Sequence, residues 1–539
     1  MAKVKLRGVA ISTFPSREIA GLGSRSLAIP AAWDKMDKKT FLRAGRLDFK
    51  EQFMLNAIRQ IVRYAVFCFI LLAYSAGCAY VEREKEETVL GTITVHAGNY
   101  DRINTPIRFQ CSPPEIFGDF SIFRRPDYFY YIDNGADLAM LRDYHLVLVE
   151  EGPGGARMPV QWEGQADLAW EKAGRKGALV WILNGKTQKN SSRSFKLVLE
   201  KGPASAGPFT VENISNKSLL VKCGSRAVLR YNYGIVQQTE GKTGPYDRSS
   251  YIHPVWTPAG KVITGDFSPE HIHQRGIFFA WTKAIFGEIE TEFWGLGKSA
   301  GRILVDDLGP SVIEGPVFGG GIICNRGSVE GKTYFKEIWV VRVYALSEEE
   351  IWLFDVDILQ VPTDPQKPQS PPKEAVSMVL PKIYYGGMSF RGPSEWLGFD
   401  SKDVARAIAR GVEFKAAKWL PPDVSLDVLT DEGGNRKSGD RSPARWIDYT
   451  GPLGDDWGGL VMFDHPSNPR YPTPLRIHPE LPYFCYALVQ NEPYTISSDE
   501  PLNLVYRFLI HNGHPRQQVN ERFARDFVDP PKVSWQRLK

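Results

Sequence analysis

Residues 335–361 have the sequence FKEIWVVRVYALSEEEIWLFDVDILQV, and this stretch decides the fold. Its two halves, Phe335–Leu346 and Ile351–Val361, are apolar runs rich in Val, Ile, Trp and Phe, residue types that favour strands. The polar segment Ser347–Glu350 between them is typical of a tight connection. The stretch therefore predicts two long neighbouring strands of a large sheet.

Similar apolar runs, separated by turn residues, occur on both sides of this hairpin. The Gly-, Pro- and Ala-rich joint Lys201–Phe209 divides them, so we predict a β-sandwich domain over residues 89–203 and a second domain over residues 204–535. The first is expected to be immunoglobulin-like, and the second a large double-sheet sandwich. Only Asp403–Gly411 has the pattern of a helix. The runs that support both domains are TITVHA (92–97), YHLVLVEE (144–151), ALVWIL (178–183), SFKLVLE (194–200), FTVENI (209–214), SLLVKC (218–223), AVLRYNY (227–233), GGLVMF (458–463) and LNLVYRFLIH (502–511).

The overall composition is that of a soluble globular protein, with 43% hydrophobic and 24% charged residues among 539. The net charge of +4 comes from the head of the chain, since residues 1–63 hold 13 Lys and Arg against 5 Asp and Glu. The remainder carries 53 basic and 57 acidic residues, which argues against a nucleic-acid partner. Aromatic residues make up 12% of the chain, which suits β-sandwiches and also surfaces on which sugar rings stack.

The uncharged segment Tyr64–Cys78 follows two arginines and is too short for a comfortable membrane span. This pattern predicts a signal peptide over residues 54–78. Its end, Ser-Ala-Gly-Cys, resembles a bacterial lipobox that would lipidate Cys78, although Ser75 stands where Leu is usual. Residues 1–53 are interpreted as an over-extended gene start or a leader, with a signal anchor as the alternative. Residues 79–88 form a charged spacer.

We therefore expect an exported protein of the periplasm, outer membrane or cell surface that touches the membrane only through a lipid anchor. The cysteines beyond residue 78 are isolated and lack zinc-ribbon spacing, so free thiols are expected. The chain contains no P-loop, GxSxG or HExxH motif, which argues against nucleotide and serine-hydrolase chemistry. The isolated cysteines are Cys111, Cys223, Cys324 and Cys485.

The stretch richest in site chemistry is YIHPVWTPAGKVITGDFSPEHIHQRG, residues 251–276. Three of the nine histidines of the chain lie there, with carboxylates and an arginine among turn residues. Imidazole transfers protons near neutral pH and binds transition metals. Polar clusters held by turns on a strand-rich scaffold are typical of functional sites. The residues concerned are His253, His271, His273, Asp266 and Arg275.

Several long motifs in one order resemble a large bacterial family that is often labelled "methane oxygenase PmoA". The resemblance covers about residues 209–527. The motifs are R-S-x-Y-I-H-P-x-x-T-P-x-G-x-x-x-T-x-D-F (248–267), HIHQRG (271–276), FFAW (278–281), Tyr385-Gly386-Gly387 with Phe390-Arg391, WIDYTG (446–451), DHPSNPRYPTP (464–474) and LVYRFLIHNG (504–513).

This resemblance implies a secreted protein of polysaccharide-degrading bacteria, with a fold similar to the galactose-mutarotase supersandwich. The methane oxygenase label conflicts with the sequence, because the membrane subunit of that name is a bundle of transmembrane helices and this chain has no such runs after its signal segment. One departure is informative: the family usually has paired histidines where this chain has His273-Gln274. A role that needs both imidazoles is therefore in doubt.

Acid/base chemistry is the leading hypothesis for the site. Mutarotase-like enzymes use a histidine with a carboxylate partner, which suggests His271 or His273 as acid/base. Asp266 or Glu292 would be the partner, and Arg275 would hold substrate oxygens.

The other side chains predicted to bind substrate lie on both sides of this motif or far from it. His253 and Arg391 would contact substrate oxygens, whereas Trp281 and Trp294 would stack on a sugar ring or belong to the core. His465 and Asn468 would reach the same mouth, or form an ordinary structural turn. Gly386 and Gly387 are expected to serve backbone geometry at a bulge.

A metal site is the alternative chemistry, with His253, His271 and His273 as candidate ligands of a divalent metal. The functions that remain open are a saccharide-active enzyme of lyase, hydrolase or epimerase type, a non-catalytic glycan-binding lipoprotein, and a metal-dependent enzyme. The expected partner is a poly- or oligosaccharide.

Overall fold

The computed structural model describes residues 87–117, 144–152, 154–164, 177–203, 206–238, 241–268, 271–296, 301–348, 350–370, 372, 374–397 and 426–538. This part of the chain is almost entirely β-structure, which confirms the predicted fold class. The predictions for residues 1–53, the signal segment with Cys78, most of the charged spacer and the helix at Asp403–Gly411 lie outside the described residues. Within them, no helix has the length and hydrophobicity needed to span a bilayer.

The first six described strands form the N-terminal sandwich, which also contains a short helix, α1, at Pro113–Phe117. All pairings between neighbouring strands are antiparallel, and their order in the sheet is β2-β5-β4-β3-β6-β1. The strands are β1 (Glu87–His96), β2 (Arg102–Gln110), β3 (Tyr144–Glu150), β4 (Arg157–Glu163), β5 (Ala178–Thr187) and β6 (Ser192–Lys201).

This sheet folds over one apolar core to which all six strands contribute. Because side chains alternate between the two faces of a strand, residues two apart point the same way. Ile93, Leu148, Trp181, Phe195 and Leu197 follow this rule and are fully buried together. These residues therefore form the inner face of the sheet.

The large sandwich contains twenty strands within the described residues. They are β7 (Phe209–Ile214), β8 (Ser218–Cys223), β9 (Arg226–Asn232), β10 (Tyr251–Val255), β11 (Ile277–Ala280), β12 (Ala284–Phe286), β13 (Ile289–Thr291), β14 (Arg302–Ile313), β15 (Phe318–Val329), β16 (Lys332–Tyr344), β17 (Ile351–Pro362), β18 (Ser377–Leu380), β19 (Gly387–Arg391), β20 (Asp427–Thr430), β21 (Trp446–Leu453), β22 (Asp456–Asp464), β23 (Leu475–Ile477), β24 (Tyr483–Tyr486), β25 (Tyr494–Ser497) and β26 (Leu502–Asn512).

Two eight-stranded antiparallel sheets face each other across the main core. The front sheet has the order β23-β24-β19-β11-β10-β9-β8-β7, and the back sheet has the order β14-β15-β16-β17-β26-β22-β21-β20. A small sheet, β13-β12-β18-β25, accompanies them. This architecture confirms the large double-sheet sandwich predicted for the second domain.

The back sheet is covered on both faces, which explains why its strands are continuous apolar runs. The hairpin predicted from residues 335–361 is β16 and β17, which pair with Val343 opposite Phe354. One face of β17, with Phe354 and Val356, packs into the main core. The other face, with Leu353, packs against residues of β5 in the N-terminal sandwich. A strand buried on both sides loses the alternating pattern of a half-exposed strand.

The C-terminal segment differs from the predicted domain organisation. Helix α2 (Gln517–Val528) packs Phe523 and Phe527 onto the outer face of the back sheet, and sequence analysis missed it. A last strand, β27 (Lys532–Arg537), then pairs with β1. The chain therefore returns to the N-terminal sandwich, and the large domain ends before β27 rather than at residue 535. The spacing of Val519, Phe523 and Phe527 is the helical signal that could have found α2.

A buried cluster of charges ties the two sandwiches together. Glu163 on β4 accepts hydrogen bonds from Arg108 on β2, at 2.7 Å, and from Arg342 on β16, at 2.9 Å. Arg342 also pairs with Asp357 on β17 at 2.8 Å. Burial by itself would raise the pKa of Glu163, but the two guanidinium groups outweigh it and lower that pKa. The carboxylate therefore stays charged inside the interface.

Replacing Glu163 with Gln should destabilise the protein strongly, because Arg108 and Arg342 lose a buried counter-ion. We expect the free energy of unfolding in urea to fall by about 3–5 kcal/mol, the cost of breaking a buried ion pair. The matched control is Glu212→Gln, which removes a surface pair with Lys222 on the large sandwich and should cost less than about 1 kcal/mol. Equal losses in the two variants would contradict the proposed role of the cluster.

Candidate active site

The motif of residues 251–276 forms β10 and the loop that leads to β11. We define the site loop as residues 265–276, of which 269 and 270 lie outside the described residues. Its two ends meet, since the Gly276 N–H donates to the Gly265 carbonyl at 2.7 Å. The Gly265 N–H donates to Arg391 O at 2.9 Å, and the Arg391 N–H to Gly276 O at 2.8 Å. The loop is thus closed at its base and fixed to β19.

Glycine is required where the loop closes. Gly276 has a φ of 50°, in the left-handed region that side chains rarely adopt. A Cβ atom there would lie 2.1 Å from the carbonyl oxygen of Ile252. The HQRG motif therefore ends in Gly because the loop passes directly over β10.

A buried ion pair fills the inside of the loop. The guanidinium of Arg275 is fully buried, and its Nε donates to Asp266 Oδ1. Tyr251 joins both partners, because its hydroxyl accepts from Arg275 Nη2 at 2.8 Å and donates to Asp266 Oδ2 at 3.0 Å. The guanidinium carbon lies 3.3 Å from the centre of the Phe267 ring. Burial favours loss of the Arg275 proton, but Asp266 outweighs it and raises the pKa of Arg275.

This pairing corrects two sequence predictions. Asp266 was expected to be the carboxylate partner of a catalytic histidine, and Arg275 to hold substrate. Asp266 and Arg275 instead form an ion pair with each other inside the loop. Their contribution is to fix the backbone that carries His271 and His273.

Three half-buried histidines meet at the outer end of the loop. The ring centres of His271 and His273 are 5.6 Å apart, and those of His271 and His478 are 5.9 Å apart. We call these three residues the histidine cluster. His478 follows β23, two hundred residues from the motif, and sequence analysis missed it. The available signal was a His-Pro pair directly after a short apolar run.

The backbone fixes the proton of His478. Its Nδ1 accepts hydrogen bonds from the N–H groups of Glu480, at 3.1 Å, and Leu481, at 2.9 Å. A ring nitrogen that accepts cannot carry a proton, so neutral His478 presents its N–H at Nε2. His271 Nδ1 is buried and has no hydrogen-bond partner among the described residues. The cluster therefore offers a ring N–H donor on His478 and a buried ring nitrogen, Nδ1 of His271, that has no partner among the described residues.

The histidine cluster is uncharged at neutral pH. Burial lowers the pKa of His271. Burial, with His271 and Arg248 nearby, lowers the pKa of His273 to about 3. Burial, followed by His271 and several arginines, lowers the pKa of His478 to about 3. All three imidazoles are thus neutral at pH 7.

An aromatic wall continues the site from the cluster to the surface. It consists of Trp294, Tyr384, Tyr385 and Tyr483. Trp294 lies 5.9 Å from Tyr385 and 5.8 Å from Tyr483, measured between ring centres. Tyr385 lies 4.8 Å from Tyr384, which is 47% exposed. Arg248 links the wall to the cluster, because its Nη1 donates to the carbonyls of Trp294 and His273 at 3.4 Å each.

Comparisons with known proteins give the family of the chain. A family described as "Family of unknown function (DUF6807)" matches residues 218–525. The chain belongs to this family. That description contains no methane oxygenase activity, and a search of curated proteins finds no match. Among solved structures, an alpha-mannosidase from Enterococcus faecalis V583 is similar at 9% sequence identity and a TM-score of 0.25, over 83% of this chain and 46% of that chain.

The Gln274 departure of this DUF6807 chain has a structural role. Gln274 is buried, and its Oε1 accepts a hydrogen bond from Arg391 Nη1 at 2.9 Å. Arg391, predicted to bind substrate, is also completely buried, and burial lowers its pKa to about 9. The side chains of both residues are therefore buried rather than exposed at the surface of the site loop.

The predicted metal ligands do not converge in this DUF6807 chain. His253 turns toward Thr264, with Nδ1 2.9 Å from Oγ1, and its Nε2 lies 4.0 Å from Asp266. His271 and His273 face His478 instead. No group of three His, Cys, Asp or Glu side chains in the described ranges is arranged to hold a metal ion. The four cysteines beyond residue 78 are free thiols, as predicted.

Three predicted site residues have structural roles close to the site. Trp281 is buried in the main core, and its Nε1 donates to Gln360 at 2.8 Å, so its ring offers no face for a sugar. Glu292 accepts from the Gly295 N–H at 2.6 Å and so caps the turn that carries Trp294. Trp294 is 6% exposed and supports Tyr385 from below. The exposed aromatic surface belongs to Tyr384.

The DHPSNPR segment is a structural turn. Asn468 is buried, and its amide donates to Val505 O at 2.8 Å while accepting from Val505 N at 2.7 Å. His465 bonds Ser467 Oγ at 2.7 Å and packs on Phe527 of α2. These contacts tie the segment to β26 and α2, which agrees with the structural-turn alternative given for His465 and Asn468. At Gly387 the backbone geometry requires glycine, as expected, because φ is 100° and a Cβ atom would lie 2.3 Å from Tyr486 O.

The cluster makes a prediction for proton titration. In an NMR titration, the ring signals of His273 and His478 should stay unchanged from pH 8 to below pH 5, since burial lowers the pKa of each to about 3. His511 is the internal control: burial alone would lower its pKa, but Asp448, 3.2 Å away, raises it. The ring signals of His511 should therefore titrate at a pH above that of an ordinary histidine.

The lowered pKa values of His273 and His478 also determine how the stability of the fold changes with pH. An unfolded histidine takes up its proton near pH 6.5, whereas His273 and His478 resist protonation in the folded state. Their neutral forms therefore favour folding above that pH, and this contribution is lost as pH falls from about 6.5 toward 3. Titration of either ring near pH 6.5 would show that the cluster is not desolvated.

Proposed function

We propose that the protein is an exported, lipid-anchored enzyme that acts on a saccharide by acid/base chemistry at the histidine cluster. The observation that carries this proposal is the meeting of three neutral, half-buried imidazoles, His271, His273 and His478. Export rests on the sequence pattern of residues 54–78, with Cys78 as the lipid attachment site. The periplasm, outer membrane or cell surface is the proposed location.

The imidazoles supply complementary functions in the proposed mechanism. His271 or His273, neutral at pH 7, takes a proton from a ring carbon, a hydroxyl or water. His478 donates its Nε2–H to an oxygen of the substrate and stabilises charge that develops there. Lyase, hydrolase and epimerase reactions each need such a pair. The geometry favours a histidine pair over the histidine–carboxylate pair expected from sequence, because Asp266 is engaged by Arg275.

The aromatic wall supports a saccharide as the substrate. Sugar rings present C–H faces that pack on aromatic rings, and Tyr384 offers an exposed ring next to Tyr385. Hydroxyl groups at the edge of the same sugar would then reach the polar ring atoms of the cluster. The negative balance of charge after residue 63 argues against nucleic acid as the ligand.

A glycan-binding lipoprotein without catalysis is the second candidate. It is favoured by one observation: the exposed ring of Tyr384 has the guanidinium groups of Arg441 and Arg476 nearby, each 5.6 Å from its centre. Such a platform binds a sugar without any proton transfer. In that case Tyr384, rather than the histidines, would determine affinity.

Separate His273→Ala and His478→Ala variants distinguish the two candidates. Each should lower kcat/KM by about 10²–10⁴, the usual contribution of a general acid or base, because a proton-transfer group is removed. Turnover by the wild type and by each variant would be measured by NMR with a panel of neutral and anionic oligosaccharides. The matched control is His465→Ala, on the structural turn beside α2, which should retain wild-type turnover.

Two outcomes would contradict catalysis by the cluster. One is wild-type turnover by both histidine variants. The other is saccharide binding without any turnover, with affinity that is lost in Tyr384→Ala and kept in His273→Ala; that result would identify a binding protein.

A further inference from the structure

We infer that the saccharide taken by this site is anionic and places a carboxylate or sulfate beside the histidine cluster. The inference rests on the proposed function, since it names the chemical class of the saccharide. It comes from the distribution of charges around the cluster, where arginines outnumber the carboxylates available to pair with them.

Arg248 is the innermost of these arginines. Its side chain is buried, with the guanidinium carbon 4.5 Å from the centre of the Phe278 ring. Its hydrogen bonds go to the carbonyls of His273 and Trp294, both at a long 3.4 Å. Within the part of the chain that the structure describes, Arg248 forms no ion pair with a carboxylate. Burial lowers its pKa to about 9, so the group still carries its charge at neutral pH.

Arg436 adds a second charge with neutral partners. It donates to the carbonyls of Pro479, at 3.1 Å, and Glu480, at 3.4 Å, which belong to the turn that follows His478. It also donates to the hydroxyl of Tyr449 at 2.7 Å. Arg436 therefore braces the backbone of the histidine cluster, and its positive charge is not neutralised by any described carboxylate.

Two further arginines share one carboxylate at the mouth of the site. Arg476 pairs with Asp440 at 2.8 Å, and Arg441 approaches the same carboxylate at 3.8 Å. Both guanidinium groups flank the Tyr384 ring. A sugar stacked on Tyr384 would have these charges at its edge.

Two carboxylates near the cluster, Asp266 and Glu292, already have partners within the protein. Asp266 is paired with Arg275, and Glu292 caps the turn at Gly295. A buried cation without a counter-ion is costly, so the scaffold maintains Arg248 at an energetic cost that an anionic ligand would offset. Guanidinium groups bind carboxylate and sulfate oxygens through parallel hydrogen bonds, which neutral hydroxyls cannot match in strength.

An anionic ligand would also bring His273 into its working range. Burial, together with the positive charges of the arginines, keeps the cluster neutral. A negative group next to His273 favours its protonated form and raises its pKa toward neutrality. Binding of the correct substrate would thus prepare the general acid, whereas a neutral sugar would leave it unprotonated.

The experiment compares matched pairs of oligosaccharides by isothermal titration calorimetry on the full protein. The pairs are an oligouronate with its carboxyl-reduced form, and a sulfated oligosaccharide with its desulfated form. We expect removal of the charge to weaken binding by about tenfold or more in one pair, because a charge-assisted contact is lost. That affinity should fall as salt is added. The pair that responds identifies carboxylate or sulfate.

Arginine variants tie the preference to this site. Arg436→Gln should reduce affinity for the anionic member about tenfold while leaving the neutral member unchanged, because a nearby charge is removed. Arg248→Lys keeps the buried charge but loses the planar guanidinium, and it should weaken the same interaction. The control is Arg525→Gln, an exposed position on α2, which should leave both affinities unchanged.

The outcomes separate this inference from the proposed function. Equal binding and turnover of charged and neutral members would overturn the anionic preference while the saccharide function stands. A charge preference that is unaffected by Arg436→Gln and Arg248→Lys would place the anion elsewhere and also overturn the inference. Failure of every member of both pairs to bind or react would count against the saccharide function itself.

Discussion

The ion pair between Arg275 and Asp266 is the interaction on which the site depends. It sits inside a loop closed by its own backbone, with Tyr251 and Phe267 packed on the guanidinium. A buried charge without its partner is strongly unfavourable, so the two residues hold one another and leave the loop a single arrangement. That arrangement presents His271 and His273 to His478, which the front sheet supplies from the far end of the sequence. The geometry of the histidine cluster is thus a consequence of a core interaction.

Buried polar groups that hold each other in place also occur between the two large sheets. Glu337 is completely buried on β16 and accepts hydrogen bonds from Trp339 and Gln360 at 2.8 Å each. Burial raises its pKa, and Gln360 passes the network on to Trp281. A satisfied polar chain of this kind permits few alternative packings of the sheets. Trp281 therefore serves the interior that positions the site, although its place in the motif suggested contact with a sugar.

Sequence patterns predicted what depends on neighbouring residues. The apolar runs of residues 335–361 gave the paired strands, and residues 251–276 gave two of the three histidines of the cluster, because strand periodicity and turn residues are local properties. Pairings between distant segments were beyond reach. Nothing near His271 points to His478, and nothing near Asp266 shows that Arg275 folds back onto it rather than outward. The last strand was missed for the same reason, since its partner β1 lies at the other end of the domain.

Gln274 shows how the charge around the cluster constrains the choice of residue. Its amide oxygen accepts from Arg391, and an amide stays neutral at every pH. A histidine at this position could accept the same bond only while unprotonated, and its protonation would place a cation against both Arg391 and the neighbouring His273. With Arg248 already near, such a charge would lower the pKa of His273 further. Glutamine keeps the support of Arg391 and leaves the proton chemistry to His271, His273 and His478, so a paired-histidine motif is not a requirement of this site.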